Sequence, residues 1–361
     1  MIPIPRPGGV GVLALAVATL AVSFPAVADP FPYGAAYRIA LTGDSPVAAL
    51  AFGPDGERAY AVAGDRLRSF EVATGAPAAG LKLPGGGVGL AASSDGGGSL
   101  YVAVDRPARL LIVNLHPLRI VSTLPLRGGM PSALLDEPGE HAVYVESRSG
   151  HSVARVDAAS GRTIAVAHLQ GDIAQMAGDD RGTLYVANDT RDAIDVIATD
   201  RMMPIGAIPT ASCRAPTGLA LDPVGRRLFV ACSNGAALII DTDMGFAFET
   251  LPIQKGTALR TVFGFHPEGP GGGWKGGAFI AGDAPALDAI RMNAFISYTA
   301  AGSLPLPGRA TALAINPAVG QLWIAVTPWN YPTGGEGSAD AMQQHAGVEI
   351  LVLHASAGVT Q

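Results

Sequence analysis

One short phrase recurs along the whole chain and limits what it can fold into. It appears as Arg58-Ala-Tyr-Ala-Val, Ser99-Leu-Tyr-Val-Ala, His141-Ala-Val-Tyr-Val, Thr183-Leu-Tyr-Val-Ala, Arg227-Leu-Phe-Val-Ala, Gly277-Ala-Phe-Ile-Ala and Gln321-Leu-Trp-Ile-Ala. Each copy is a run of small, β-branched and aromatic residues around one aromatic anchor. The anchors are Tyr60, Tyr101, Tyr144, Tyr185, Phe229, Phe279 and Trp323, spaced 41 to 50 residues apart. A repeat of that length is one supersecondary unit that must stack on its neighbours to bury both faces, and about 40–50 residues is the length of a four-stranded blade. The expected fold is all-β: a seven-bladed β-propeller of four-stranded blades.

The interior of a copy supports this reading. In the fifth, Thr217 to Leu221 leads into an Asp222-Pro-Val-Gly225 turn. Arg227 to Ala231 and Ala236 to Asp241 are the next strands, and Glu249 to Ile253 the fourth. The first two strands are almost continuously apolar, as expected where neighbouring blades cover both faces. The chain finishes on a third-strand pattern, Gly347 to Leu353, with no fourth strand after it. An unassigned strand, Tyr37 to Leu41, precedes the first blade. That N-terminal strand is expected to complete the last blade, close the ring and remove an exposed edge.

The first 28 residues read differently. Arg6 is the only charge before Asp29, Val10 to Val22 is apolar or small, and Ala26-Val27-Ala28 follows. This is the pattern of a cleaved signal peptide over 1–28, its apolar core too short to span a bilayer. A single propeller domain over 29–361 is expected, periplasmic or secreted, monomeric, with no membrane span after cleavage. The net charge of −6 argues against a nucleic-acid partner held by phosphate neutralisation. The cysteines number two. Cys213 and Cys232 are equidistant from a point between Asp222 and Pro223, in the Asp222–Gly225 turn, and a hairpin centred there would place them opposite each other on adjacent strands. An exported chain meets an oxidising compartment, so a disulfide is expected.

The Tyr-Val-Ala-Asn phrase at Tyr185–Asn188, the Asp-Thr turns and the segment from Cys213 to Cys232 resemble the YVTN-repeat propellers, in particular their exported YncE-like branch. The resemblance extends over essentially all of residues 33–355. It implies the propeller fold, a cysteine pair at this place and a Pro-rich insertion in the last blade. It implies no chemistry, because members of one fold carry different sites.

Catalytic signatures are missing from the sequence. It has no CxxCH, no Gly-x-Ser-x-Gly, no HExxH and no phosphate loop ending in Gly-Lys-Ser/Thr. Asp241-Thr-Asp243 falls in a blade turn, where Asp bonds its own backbone rather than calcium. The histidines lack metal-ligand spacing; His151 and His345 are those that could face a channel mouth. No cofactor and no metal are expected.

The informative residues lie on one face. Loops between second and third strands, and loops between blades, emerge together around the central channel. The first set carries Glu146, Arg148, His151, Asp189 and Arg191. The second carries Arg127, Arg214, Arg260 and Arg309, so four of the seven junctions bring an Arg, the side chain suited to bidentate capture of carboxylates. The last blade adds the insertion 327–346, where Trp329 and Tyr331 could cover the channel. The expected function is a non-catalytic binding module that uses this face for a small anionic ligand or an envelope protein. The alternatives are a lactonase-like hydrolase built on Glu146, Arg148 and His151, and a scaffold subunit beside a periplasmic redox or haem system.

Overall fold

The structure, a computed structural model, describes residues 33–41, 45–93, 98–127, 129–137, 140–157, 160–264, 276–292, 297–316, 318–329 and 347–355. The proposed signal peptide, Tyr331, His345 and most of the 327–346 insertion lie outside the described residues. The strands, β1 to β28 in chain order, form seven four-stranded antiparallel sheets. Blades 1 to 6 take β2 to β25 four at a time, over residues 47–82, 87–125, 133–168, 173–209, 216–252 and 260–305. Blade 7 is β26 (Gly308–Asn316), β27 (Gln321–Pro328), β28 (Val348–Ala355) and β1 (Tyr33–Leu41), with β1 outermost. β1 pairs antiparallel with β28, from Tyr33 opposite Ala355 to Leu41 opposite Val348. The ring is therefore closed by the N-terminal strand.

Each recurring phrase is the second strand of its blade. β3 (Arg58–Ala63), β11 (Ala142–Ser147), β19 (Arg227–Cys232) and β27 are buried at nearly every position. Outermost strands such as β9 (Leu118–Pro125) alternate toward solvent instead. The anchors pack forward into the next blade. Tyr60 sits in a cluster with Leu90 and Leu100 of blade 2, Tyr144 with Ile173 and Leu184 of blade 4, and Phe229 with Ile280 and Tyr298 of blade 6. Trp323 of blade 7 packs against Phe52 and Phe70 of blade 1, ring centroids 5.6 and 6.2 Å away. A large ring buried between two sheets excludes more apolar surface than an aliphatic side chain, which is why the motif keeps an aromatic there.

Two local expectations change. The fourth strand of blade 5, β21, runs Phe246–Pro252 and so starts three residues earlier than Glu249. The cysteines do bond, Cys213 to Cys232 with Cα atoms 5.4 Å apart, but not as opposed residues of two strands. β18 runs Pro216–Asp222, and Asp222 pairs with Arg227, so the hairpin is centred two residues later than the sequence suggests. A bulge between Pro216 and Gly218 then sets Pro216 opposite Cys232. Cys213 lies before the strand, in a turn where its N–H donates to the Thr210 carbonyl at 2.9 Å, and reaches Cys232 from there.

The innermost strands are β2 (Val47–Phe52), β6 (Gly87–Ala92), β10 (Ala133–Glu137), β14 (Ile173–Gly178), β18, β22 (Arg260–Gly264) and β26. Each contacts the next around the ring. Loops between second and third strands bond the loops between blades: Leu169 N–H to His151 O, Asp189 N–H to Asp172 O, and Ser233 N–H to Arg214 O. Both sets thus form one face.

Candidate functional site

A cavity of about 100 Å³ opens on that face where the inner strands of blades 3 to 6 meet at the ring axis. Its polar lining is Ser132, Glu146, Arg148, Gln175, Thr217 and Arg260. Glu146 is the penultimate residue of β11, the buried second strand of blade 3, and is only 2% exposed. The Ser132 hydroxyl donates to its Oε1 at 2.8 Å, and Oε2 is closed to solvent without a hydrogen-bond partner among the described residues. Desolvation drives the Glu146 pKa up to about 7, while the Ser132 hydrogen bond, Arg148 and Arg260 pull it down.

Two guanidinium groups line the same cavity. Arg148 is half exposed and donates to Asp189 Oδ2 at 3.2 Å, leaving Asp189 Oδ1 without a partner. Its backbone N–H is held by the Ser132 hydroxyl at 3.1 Å, which fixes the loop beneath it. Arg260 opens β22, and its side chain makes no hydrogen bond or ion pair with the described residues. It stays exposed along the channel, yet protein crowds it enough that desolvation lowers its pKa, against the attraction of Glu146.

Gln175 holds the wall together. From β14 its amide donates to Thr261 O at 2.8 Å and accepts from Leu219 N–H at 3.1 Å and Thr261 N–H at 3.0 Å. One neutral side chain thereby ties the inner strands of blades 4, 5 and 6. Thr217 Oγ1 adds an acceptor for Leu259 N–H at 3.2 Å. The sequence reading did not single out Ser132, Gln175 or Thr217. Their signal was a polar residue inside an apolar inner strand, such as Ile173-Ala-Gln-Met-Ala, or directly before one.

The other expected residues fall outside the cavity. Arg214 pairs with Asp192 at 2.7 Å, and Asp192 also accepts from Ala215 N–H at 2.7 Å; both bonds hold its carboxyl below the usual range. Arg191 pairs with Asp195 at 2.9 Å, and the other Asp195 oxygen accepts from Asn188 at 2.7 Å. These bonds brace the blade 4 loops and the junction to blade 5. His151 Nδ1 lies 3.2 Å from Asp172 Oδ1, an ion-pair distance without hydrogen-bond alignment. Arg309 stands over the Trp329 ring, 5.9 Å from its centroid, on blade 7. Arg127 is exposed and makes no ion pair with the described residues. The Asp241 turn behaves as expected, Oδ1 accepting from Asp243 and Met244 N–H. Among the described residues no group of three or more metal-ligating side chains occurs.

No family model and no curated protein sequence matches the chain. Solved structures do. U3-55K aligns with a TM-score of 0.68 at 14% identity, covering 87% of this chain and 98% of that one. The WD40 repeats of RRP9 align at 0.70 and 14%, covering 89% of this chain and 100% of theirs. The chain is a seven-bladed β-propeller with WD40 structural neighbours. At such identity the likeness concerns the fold, and the cavity must be argued from its own groups.

Proposed function

We propose that the protein is an exported, non-catalytic member of the YncE-like YVTN-repeat branch that binds a small anionic ligand in the axial cavity. The recurring phrase and the place of the cysteine pair support the branch. The signal pattern of residues 1–28 and the Cys213–Cys232 disulfide support export to an oxidising compartment. The observation that carries the binding reading is Arg260: a guanidinium lining the cavity without a partner among the described residues, next to Arg148, which pairs there with Asp189 alone. An anion entering the cavity gains charge-assisted hydrogen bonds that the protein itself does not supply. The test is calorimetric titration of residues 29–361 with compact carboxylates, phosphate and sulfate. Arg260→Gln should weaken binding at least tenfold with the fold intact by circular dichroism. Equal binding by the variant would remove the site.

One observation favours a second reading. A buried carboxyl poised near neutral pH beside two cationic groups is the arrangement of a general base with oxyanion stabilisers. Turnover of a lactone panel, lost in Glu146→Gln, would put hydrolysis ahead of binding.

A further inference from the structure

The anionic ligand's other pole follows from the groups the fold leaves unsatisfied. Around the cavity, the neutral groups are tied to the fold: Gln175 to three backbone partners, Ser132 to Glu146 and Arg148, and Thr217 to Leu259 N–H. Arg148 is already half neutralised by Asp189. Of the charged groups in the lining, the Arg260 guanidinium and Glu146 Oε2 have no hydrogen-bond or ion-pair partner among the described residues. These two feel each other's charge but form no ion pair.

We infer that the cavity is built for a compact zwitterion, a small amino acid whose carboxylate meets Arg260 and whose ammonium meets Glu146 Oε2. The assignment rests on the reading above that an anionic group binds at Arg260. A simple carboxylate entering the cavity would lie beside Glu146 and be repelled by it. A simple amine would satisfy Glu146 and face two arginines. Only a ligand carrying both charges pairs both groups, and an unpaired charge in a partly desolvated site is what a ligand of the wrong polarity leaves behind. The size agrees: about 100 Å³ holds several water-sized groups, enough for glycine, alanine or β-alanine but not for a long side chain. Glu146 Oε2 is closed to solvent, so the ammonium reaches it only as side chains of the cavity lining shift.

The experiment compares isosteres on the unaltered protein. L-alanine, glycine and β-alanine are titrated against propionate, acetate and methylammonium at pH 8, where Glu146 is ionised. At least one amino acid should bind ten or more times tighter than propionate and methylammonium. Glu146→Gln, which keeps an acceptor for Ser132, should lower the amino-acid affinity to that of propionate without weakening propionate. Arg260→Gln should weaken both. Propionate binding as tightly as alanine, or a preference untouched by Glu146→Gln, overturns the inference while the anion site stands. Binding of none of these compounds overturns it, and when phosphate and sulfate also fail, the anion site falls with it.

Discussion

Glu146 makes the electrostatics of the cavity measurable without any ligand. Its pKa lies at about 7 in the fold against an ordinary 4.5, because burial disfavours the charged form more than Ser132, Arg148 and Arg260 favour it. A shift of that size corresponds to about 3 kcal/mol. For an acid whose folded pKa is raised, the folded state holds the proton longer than the unfolded chain. Stability is then full below the unfolded pKa and declines as pH rises from about 4.5 through about 7, levelling off above. Glu146→Gln removes this titration while leaving an oxygen for the Ser132 hydroxyl. The variant should match the wild type near pH 4.5 and exceed it by up to about 3 kcal/mol at pH 8. Urea midpoints at pH 4.5, 6.5 and 8, with the slope checked for constancy, read the difference directly. Glu137, buried with a pKa raised to about 9 by desolvation and by Asp180, tilts both proteins equally and cancels in the comparison. A variant less stable than wild type at pH 8 would refute the reasoning. It would mean that Arg148 and Arg260 repay the desolvation of the carboxylate and that Glu146 is a settled ion-pair partner.

Three further outcomes test the frame around the cavity. Replacing Cys213 and Cys232 by Ala opens a loop of about 20 residues and should cost about 3 kcal/mol in urea titration; an unchanged midpoint would show that the β18–β19 hairpin already restrains this segment. Gln175→Ala strips partners from Leu219 N–H, Thr261 N–H and Thr261 O, with an expected loss of about 3 kcal/mol. Amide exchange should accelerate at Leu219 and Thr261 before other inner-strand sites, and uniform exchange would deny the tie between blades. Trp323→Ala empties the seam between blades 7 and 1 and should cost about 3–5 kcal/mol, lowering the thermal midpoint more than the same change at any exposed aromatic.

The fold was legible because its signal is redundant. Seven second strands covered on both faces must be apolar throughout, and each needs a large ring at the seam, so Tyr60 through Trp323 mark the period even where neighbouring residues vary. The strand that closes the ring was legible from the deficit at the other end, since a final blade lacking a fourth strand must find one. The cysteine pair was legible as a pair and misread as geometry. The turn extends to Arg226, held at a φ of 54°, and the bulge at Pro216–Gly218 shifts the register again. Neither a left-handed turn residue nor a bulge leaves a pattern in apolar periodicity, so both escape a count of residues from a hairpin centre.

The site divides along a different line. Topology placed the loops of Arg127, Arg148, Arg191, Arg214 and Arg260 on one face, but it could not say which guanidinium groups keep their charge available. Arg191 finds Asp195 on the strand that follows its loop, and Arg214 finds Asp192 in an adjoining loop, where Asp192 and Ala215 adopt φ values of 49° and 47°. Arg260 opens an inner strand, and no carboxylate of the described residues forms an ion pair with it; the one whose charge it feels, Glu146, belongs to another blade. Frequency of charge on a propeller face therefore says little, because most of it is consumed in holding loops. What separates a site from a solvated rim is a charge whose partner the fold could have supplied and did not. Here that criterion selects Arg260 and Glu146 Oε2 together, of opposite sign, in one cavity.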